Sequence, residues 1–306
     1  MSRITRQPAL FDEPRLNRIV NVASVTHRSP FRYPGGKTWL VPRIRRWLAT
    51  FAEKPAEFIE PFAGGGIVSL TVAFEQLADH VTMVELDEQV AAVWQTIIED
   101  NNGEYLASRI VDFDLASLTP ESLRELVERD VSLVSERAFQ TILKNRTYRG
   151  GILAAGSAPL KHGENGKGIA SRWYAETLKR RIVDIAAIRE RITFIEGDGI
   201  EVIGLHAGRR DAVFFIDPPY TAAGKRAGRR LYTHSEIDHE ELFRKANTIA
   251  NDFLMTYEDA PEIHEMAHKY GFDTELVAMK NTHHAEMTEL LIGRNLDWAR
   301  STSRKL

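Results

Sequence analysis

A carboxylate and an aromatic ring follow an apolar run at Asp217-Pro218-Pro219-Tyr220. The preceding residues, Val213 to Ile216, read as a strand that is buried on both faces. Neither proline has an N–H to donate, and each holds the residue before it extended, so the strand ends here on a rigid backbone. Open α/β sheets bind their ligands at the carboxyl ends of strands. The pattern predicts a pocket for a flat, amine-bearing group, with a merely proline-rich turn as the alternative.

A glycine turn follows a second apolar segment, in FIEPFAGGG at 58–66. Gly64 and Gly66 match the first two glycines of the dinucleotide fingerprint, and Ser69 stands at the third. Glu85 closes the next strand about 20 residues further on, where an acidic side chain accepts hydrogen bonds from ribose hydroxyls. No second fingerprint occurs, so the pattern indicates a single nucleoside. The alternative is a purely structural turn.

Two other motifs are less informative. Gly36-Lys37-Thr38 ends like a phosphate-binding loop, but Phe31 stands where that motif needs its first glycine. HEMAH at 264–268 matches the H-E-x-x-H zinc signature, with His283 or His284 as a third candidate ligand. This short pattern arises easily by chance and lies in what reads as an ordinary crossover helix. We therefore expect no metal site.

Alternating strand and helix patterns position these groups. Strand–turn–helix units are predicted over 56–77 and 80–100, and the alternation resumes at 192. The chain between them is mostly helical and contains a polar, glycine-rich loop. The predicted organisation is a flexible arm at 1–28, a catalytic α/β domain at 29–100 and 192–300, and a helical insertion at 101–191.

Composition excludes several functional classes. The 306 residues include no cysteine, which excludes disulfides, thiolate metal sites and cysteine nucleophiles. No apolar run approaches the roughly 20 residues of a membrane span. The N-terminal residues lack the apolar core of a signal peptide, so we expect a cytoplasmic protein. We also expect a monomer.

Positive charge is concentrated in two regions although the net charge is −3. Residues 1–46 contain ten lysines and arginines against two acidic residues, a balance of +8. Residues 137–191 contain twelve against four, again +8. Such segregation favours a surface that faces a polyanion, although solvated helix faces give similar counts.

The order of the motifs resembles that of the Dam-like class of DNA adenine-N6 methyltransferases. The motifs that carry the resemblance, from about Phe31 to Arg294, are FRYPGGK, FIEPFAGGG, VELD, NRTYRGG, EGD, DPPY and TELLI. The resemblance implies a Rossmann-like S-adenosylmethionine-dependent methyltransferase sheet with a helical target-recognition insertion. It further implies S-adenosylmethionine as the methyl donor, double-stranded DNA as the partner, and DNA methylation, with restriction–modification as one setting. It also implies a bacterial or phage-encoded protein.

Site residues are carried over by matching positions. Those implied to contact the cofactor are Tyr33, Lys37, Glu60, Phe62, Gly64, Gly66, Glu85, Asp198 and Asp217. The family often has tryptophan at the position of Tyr33 and aspartate at that of Glu85. Those implied to be catalytic are Asp217, Pro218 and Tyr220. Those expected to bind DNA, in the basic insertion, are Arg146, Arg149, Lys161, Lys167 and Arg172.

The residue types fit methyl transfer to an adenine amine. Asp217 and the Pro218 carbonyl would each accept one amine hydrogen and so direct the nitrogen lone pair toward the methyl group. Tyr220 would stack on the flipped base, a contact that contributes about 1–3 kcal/mol. No metal is required.

Other functions fit parts of the same pattern. One is methylation of another planar amine, cytosine N4 or an RNA base, although Asp217 at this position favours adenine. Another is a DNA-binding relative without activity, against which Lys37, Glu85 and Asp217 argue. The third is the zinc hydrolase suggested by HEMAH.

The N-terminal arm contains a separate motif. QPALF, from Gln7 to Phe11, resembles the Q-x-x-L-F peptide by which bacterial DNA-processing proteins dock on the replication sliding clamp. Gln7 would hydrogen-bond at the rim of the clamp pocket, while Leu10 and Phe11 would bury apolar surface. The alternatives are that both residues pack on the protein's own core, or that the match arises by chance.

Overall fold

The computed structural model describes residues 24–33, 35–163, 166–219, 237–280 and 286–300. Its strands form a single mixed sheet. They are β1 (Glu57–Glu60), β2 (His80–Glu85), β3 (Ile192–Glu196), β4 (Ala212–Ile216), β5 (Asp252–Glu258), β6 (Asp273–Lys280) and β7 (Glu286–Gly293). The QPALF segment lies outside the described residues, so clamp binding stays a prediction.

The strand order is β3-β2-β1-β4-β5-β7-β6. β1 to β5 run parallel, whereas β7 is antiparallel to both β5 and β6. The first five strands follow the order of a doubly wound Rossmann-like sheet, in which the direction of winding reverses between β1 and β4. The predicted α/β, Rossmann-like fold class is confirmed. A ligand site is therefore expected at the carboxyl ends of β1 and β4.

Helices cover both faces of the sheet. They are α1 (Val41–Leu48), α2 (Ile67–Glu75), α3 (Glu88–Trp94), α4 (Gly103–Val111), α5 (Pro120–Glu128), α6 (Val134–Thr147), α7 (Ala175–Ala187), α8 (Gly199–His206), α9 (His239–Asn247), α10 (Pro261–Lys269) and α11 (Asp297–Arg300). Aspartates cap three of them: Asp87, Asp198 and Asp238 accept backbone N–H bonds at the starts of α3, α8 and α9. These caps satisfy N–H groups that have no partner within the helix.

Alternate residues of β4 enter two separate hydrophobic cores. Val213 and Phe215 belong to the larger cluster, which also includes residues of α1 to α7. Ala212, Phe214 and Ile216 belong to the smaller cluster, together with residues of α8, α9 and α10. Successive side chains of a strand point to opposite faces, so a strand covered on both sides is apolar throughout. This explains the uninterrupted apolar run before Asp217.

The helical insertion shares the larger core with the sheet. Leu106, Phe139 and Ile182, from α4, α6 and α7, lie in the same buried cluster as Phe215 of β4. Val25, within the predicted arm, is buried against this cluster too. The division into arm, catalytic domain and recognition insertion stays a prediction. In the described part of the chain, no helix combines the length and apolarity needed to cross a bilayer.

Candidate functional site

The glycine turn between β1 and α2 has a backbone that other residues cannot easily adopt. Gly64 has φ +48° and Gly66 has φ +65°, both in the left-handed region. A Cβ at Gly64 would lie 2.6 Å from Cε1 of Tyr33, and one at Gly66 would lie 2.6 Å from Cε of Met83. The Trp94 indole donates to the Gly64 carbonyl at 2.9 Å. The turn is therefore tightly held, with the Tyr33 ring lying against it.

Glu85 joins the end of β2 to this turn. Its Oε2 accepts the Gly64 N–H at 2.8 Å, and its Oε1 accepts the N–H groups of Leu86 and Asp87 at 2.9 Å each. Burial raises the pKa of Glu85 to about 7, although these three bonds favour the ionised form. The structure thus brings together Gly64 and Glu85, as the sequence predicts.

Lys37 forms the centre of a buried ionic cluster. Its Nζ lies 2.8 Å from Oδ1 of Asp217 and 3.1 Å from Oε1 of Glu289, and it donates to the Gly35 carbonyl at 3.1 Å. Thr256 Oγ1 donates to the same Oδ1 of Asp217 at 2.8 Å. Only 5% of Lys37 is exposed, and a charge so buried needs such partners. The cluster holds the Asp217 carboxylate at the carboxyl end of β4.

Glu60, the last residue of β1, adds a second carboxyl group near this cluster. It is buried and accepts the Ser69 N–H at 2.9 Å. Burial raises the pKa of Glu60 to about 8, and the charge of Asp217 adds to the rise while Lys37 opposes it. Glu60 is therefore mostly protonated at neutral pH.

The residues after Asp217 are only partly described. Pro218 is buried, in line with a rigid end to β4. Tyr220 lies outside the described residues, so its stacking role stays a prediction.

Asp198 and Phe62 lie where the loops after β3 and β1 meet. The Asp198 carboxylate accepts the Ile200 N–H at 2.7 Å and so caps α8. A Cβ at the neighbouring Gly199 would lie 2.2 Å from the Pro61 carbonyl oxygen and 3.0 Å from the Phe62 ring. Glycine is required there for the two loops to touch. The described role of the Asp198 carboxylate is this helix cap, and its contact with the cofactor stays a prediction.

The five basic residues predicted to bind DNA have different environments. Arg149, Lys161 and Lys167 are exposed, and Arg172 is half-buried. Arg146 is only 4% exposed, and its Nε donates to the Arg172 carbonyl at 3.1 Å. Burial lowers the pKa of Arg146 to about 10, with the charge of Arg32 adding to the effect. The structure gives Arg146 an internal role and leaves the other four toward the surface.

Residues 33–281 match the family model of D12 class N6 adenine-specific DNA methyltransferases. The chain belongs to this family. The resemblance to the Dam-like class is confirmed. The roles of the glycine turn, Glu85 and Asp217 in binding and catalysis stay predictions. Comparison with curated proteins gives no significant match.

Several solved structures are similar to this chain at low sequence identity. A Pyrococcus horikoshii protein described as a candidate RNA methyltransferase is 10% identical, with a TM-score of 0.41 and coverage of 89% of this chain and 92% of that chain. The rRNA methyltransferase aviRa from Streptomyces viridochromogenes is 14% identical, with a TM-score of 0.37 and coverage of 86% of each chain. A methyltransferase from Geobacter sulfurreducens is 12% identical, with a TM-score of 0.36 and coverage of 86% and 80%. The family assignment rests on the D12 match.

Three residues of this D12 enzyme have no role in the sequence-based prediction but contact predicted site residues or the backbone next to them. Glu289 lies within the TELLI motif but was given no role, although a carboxylate inside an apolar strand is itself a signal. Thr256 is likewise a polar residue within the apolar strand β5. Asn145 opens the NRTYRGG motif and contacts the backbone of Arg32.

HEMAH has an ordinary environment in the D12 fold. His264 Nε2 lies 2.8 Å from Oδ1 of Asp259, within α10 and its preceding loop. Among the residues that the structure describes, no three histidines or acidic residues are grouped to hold a metal ion. His283 and His284 lie outside those residues.

Proposed function

We propose that the protein transfers the methyl group of S-adenosylmethionine to N6 of an adenine in double-stranded DNA. The observation that carries the proposal is the position of Asp217, held by Lys37 at the carboxyl end of β4. It stands where the winding of the sheet reverses, beside the glycine turn of β1. Membership in the D12 family supports DNA adenine as the substrate.

The residues at the glycine turn fit S-adenosylmethionine. A carboxylate has about four acceptor positions. On Glu85, backbone N–H groups occupy three of these acceptor positions, two at Oε1 and one at Oε2. Oε2 could therefore accept a further hydrogen bond from a ribose hydroxyl. Tyr33 against Gly64 supplies an aromatic wall. Glu85, Tyr33 and Lys37 would hold the cofactor, which supplies an electrophilic methyl group when bound.

Asp217 and Pro218 would activate the amine. The lone pair of an adenine amine is delocalised into the ring, so the free amine is a poor nucleophile. Acceptance of its hydrogens by the Asp217 carboxylate and the Pro218 carbonyl would direct the lone pair out of the ring plane, and Asp217 would take the proton late. Lys37 and Thr256 keep the carboxylate oriented through Oδ1.

The ionic cluster suits a reaction in which positive charge develops. Among the described residues, two carboxylates, those of Asp217 and Glu289, lie against the ammonium of Lys37. Carboxylate oxygens in this position would stabilise the positive charge that develops on the adenine amine as the new N–C bond forms and the bond from methyl to sulfur breaks.

The basic insertion would bind the DNA backbone. Its exposed residues Arg149, Lys161 and Lys167, with Arg172 beside them, lie between α6 and α7. Lysine and arginine contacts to phosphates account for most of the sequence-independent affinity for DNA. We propose this loop as the DNA-facing surface.

The deciding experiment is methyl transfer on mixed-sequence double-stranded DNA. DNA treated with the protein and methyl-labelled S-adenosylmethionine would be digested to nucleosides and analysed by mass spectrometry. We expect N6-methyladenine, and none with Asp217→Ala. Detection of N4-methylcytosine alone, or methylation of RNA alone, would overturn the adenine assignment.

A further inference from the structure

A buried asparagine of the insertion contacts the segment that carries Tyr33 and Lys37. Asn145, in the last turn of α6, is 1% exposed. Its Oδ1 accepts the Arg32 N–H at 2.8 Å, while its Nδ2 donates to the Arg32 carbonyl at 3.1 Å and to the Gly151 carbonyl at 2.7 Å. One side chain thus pairs with both backbone groups of Arg32, as a neighbouring strand would.

Other contacts join the same two parts of the chain. Gly151 has φ +74°, and a Cβ there would lie 2.3 Å from the Arg32 carbonyl oxygen. Only glycine therefore allows the insertion loop to approach Arg32 this closely. Arg181 of α7 donates from Nη1 to the Ser29 carbonyl at 3.0 Å. Side chains of the insertion therefore hydrogen-bond the backbone at both Ser29 and Arg32.

Arg32 connects these contacts to the candidate site. The next residue, Tyr33, lies against the glycine turn, and Lys37 follows four positions later in the ionic cluster. In the other direction, Asn145 is followed by the exposed Arg149 and by the loop proposed to face DNA. A displacement of Arg32 would therefore move both Tyr33 and Lys37.

We infer that Asn145 is a positioning residue through which the DNA-facing insertion holds Arg32 in place, and with it the donor-binding residues Tyr33 and Lys37. The inference rests on the proposed function, because it takes Tyr33 and Lys37 as donor-binding residues. Asn145 itself contacts neither Glu85 nor Asp217 through any described hydrogen bond. It acts by restricting the backbone, so its loss lowers affinity for the methyl donor while the chemical groups stay present.

The test compares Asn145→Ala with Gln140→Ala, a matched control on the same helix. Gln140 is also buried, at 8% exposure, and its amide donates to the carbonyls of Leu126 and Arg129 at 2.9 and 3.0 Å. Both variants lose buried amide hydrogen bonds, but those of Gln140 stay within the insertion. S-adenosylhomocysteine binding would be measured by calorimetry without DNA, and hydrogen exchange would be followed in the peptide spanning 29–37.

We expect Asn145→Ala to weaken S-adenosylhomocysteine binding by about tenfold, within the usual range of coupling between sites. Exchange in the 29–37 peptide should rise, since the Arg32 N–H loses its acceptor. Gln140→Ala should bind within about twofold of wild type. In steady-state assays Asn145→Ala should raise the donor KM more than it lowers kcat. Equal binding and equal exchange in the two variants would overturn the inference.

A second pair of variants tests the contact from its other end. Gly151→Ala and Gly150→Ala place alanine at φ +74° and +68°, so the backbone strain is similar. Only Gly151→Ala clashes with Arg32, because a Cβ at Gly150 meets nothing closer than the Ile152 side chain at 3.3 Å. Weaker S-adenosylhomocysteine binding is expected for Gly151→Ala alone, and equal binding would contradict the inference. Wild-type protein that binds no S-adenosylhomocysteine would overturn the proposed function as well.

Discussion

Lys37 lies between two carboxylates of the candidate site. Its ammonium is shared between Asp217 at 2.8 Å and Glu289 at 3.1 Å. If Lys37 were paired with Asp217 alone, its whole charge would act on the carboxylate that is proposed to accept the amine hydrogen. Glu289 of β7 shares that ammonium, so Lys37 should hold Asp217 less strongly than it would without Glu289.

The first prediction concerns this balance. Glu289→Gln keeps an oxygen for Lys37 but removes the charge, so Lys37 should hold Asp217 more strongly and leave it a weaker acceptor for the amine hydrogen. We expect kcat to fall about tenfold, which corresponds to roughly 1.4 kcal/mol. Steady-state kinetics at saturating DNA and methyl donor would measure the change.

Glu275→Gln is the matched control for Glu289→Gln. Glu275 lies on the adjacent strand β6 and pairs with Arg300 at 3.1 Å, outside the cluster. Glu275→Gln should leave kcat within about twofold of wild type. An equally small change of kcat in Glu289→Gln would refute the balancing role.

The second prediction follows from the raised pKa of Glu60, about 8. The unfolded protein ionises this carboxyl near its ordinary pKa of about 4.3, so between there and about 8 the folded state binds more protons. The free energy of unfolding therefore falls as pH rises through that window and levels off above it. Glu60→Gln, which cannot ionise, should gain stability relative to wild type between pH 5 and pH 8. Thermal unfolding at both values would show it, and a stability difference independent of pH would contradict it.

At the scale of elements, the connection from β1 to α2 spans residues 61–66 and ends in three glycines. The third prediction is that Gly66→Ala lowers the free energy of unfolding by about 1–3 kcal/mol. The reason is that φ +65° disfavours alanine and that its Cβ would lie 2.6 Å from Met83. Gly208→Ala is the control, because a Cβ there meets nothing within 4 Å. Denaturant unfolding would measure both, and equal stability of the two variants would exclude strain at the turn.

The loop between α6 and α7 is the element proposed to face DNA. The fourth prediction is that Lys161→Gln and Lys167→Gln each reduce the slope of log K against log salt by about 0.9, as expected for one lost phosphate contact. Fluorescence anisotropy with duplex DNA at several salt concentrations would measure the slope. Lys269→Gln, on α10 at the opposite face of the sheet, should not change it. Slopes equal to wild type in both loop variants would place the DNA elsewhere.

Arg146 should behave differently from those lysines. Its buried guanidinium donates to the Arg172 carbonyl, so Arg146→Gln removes an internal bond. The expected result is a lower unfolding temperature.

At the scale of the whole molecule, the insertion and the sheet share one core. Leu106 and Ile182 of the insertion lie in the same buried cluster as Phe215 of the sheet. The fifth prediction is that the protein unfolds in a single calorimetric transition, because neither part can lose its side of the core alone. Ile182→Ala should lower the temperature of that one transition. Two resolved transitions, with only one moved by Ile182→Ala, would show that the insertion unfolds independently.

The sequence by itself determined the strands, the ends of the key strands and the family. The apolar run before Asp217 indicated a strand covered on both faces. Successive side chains point to opposite faces of a sheet, so a strand that is covered on both has no position for a polar side chain. Pro218 and Pro219 had to end it. The strand and its end could be predicted because each depends on neighbours in the chain. Gly64, Gly66 and Glu85 were assigned to one site by their spacing, and in the structure the Gly64 N–H donates to Glu85.

Only the tertiary structure decided which distant residues meet. β7 lies between β5 and β6, and this placement puts Glu289 beside Lys37. Burial of Arg146 and Asn145 results from the packing of α6 against the loops at 29–32 and 168–172. The physical reason is that a linear pattern records which side chains are polar, whereas the order of strands and the packing of helices determine which polar groups lose water and must pair with one another.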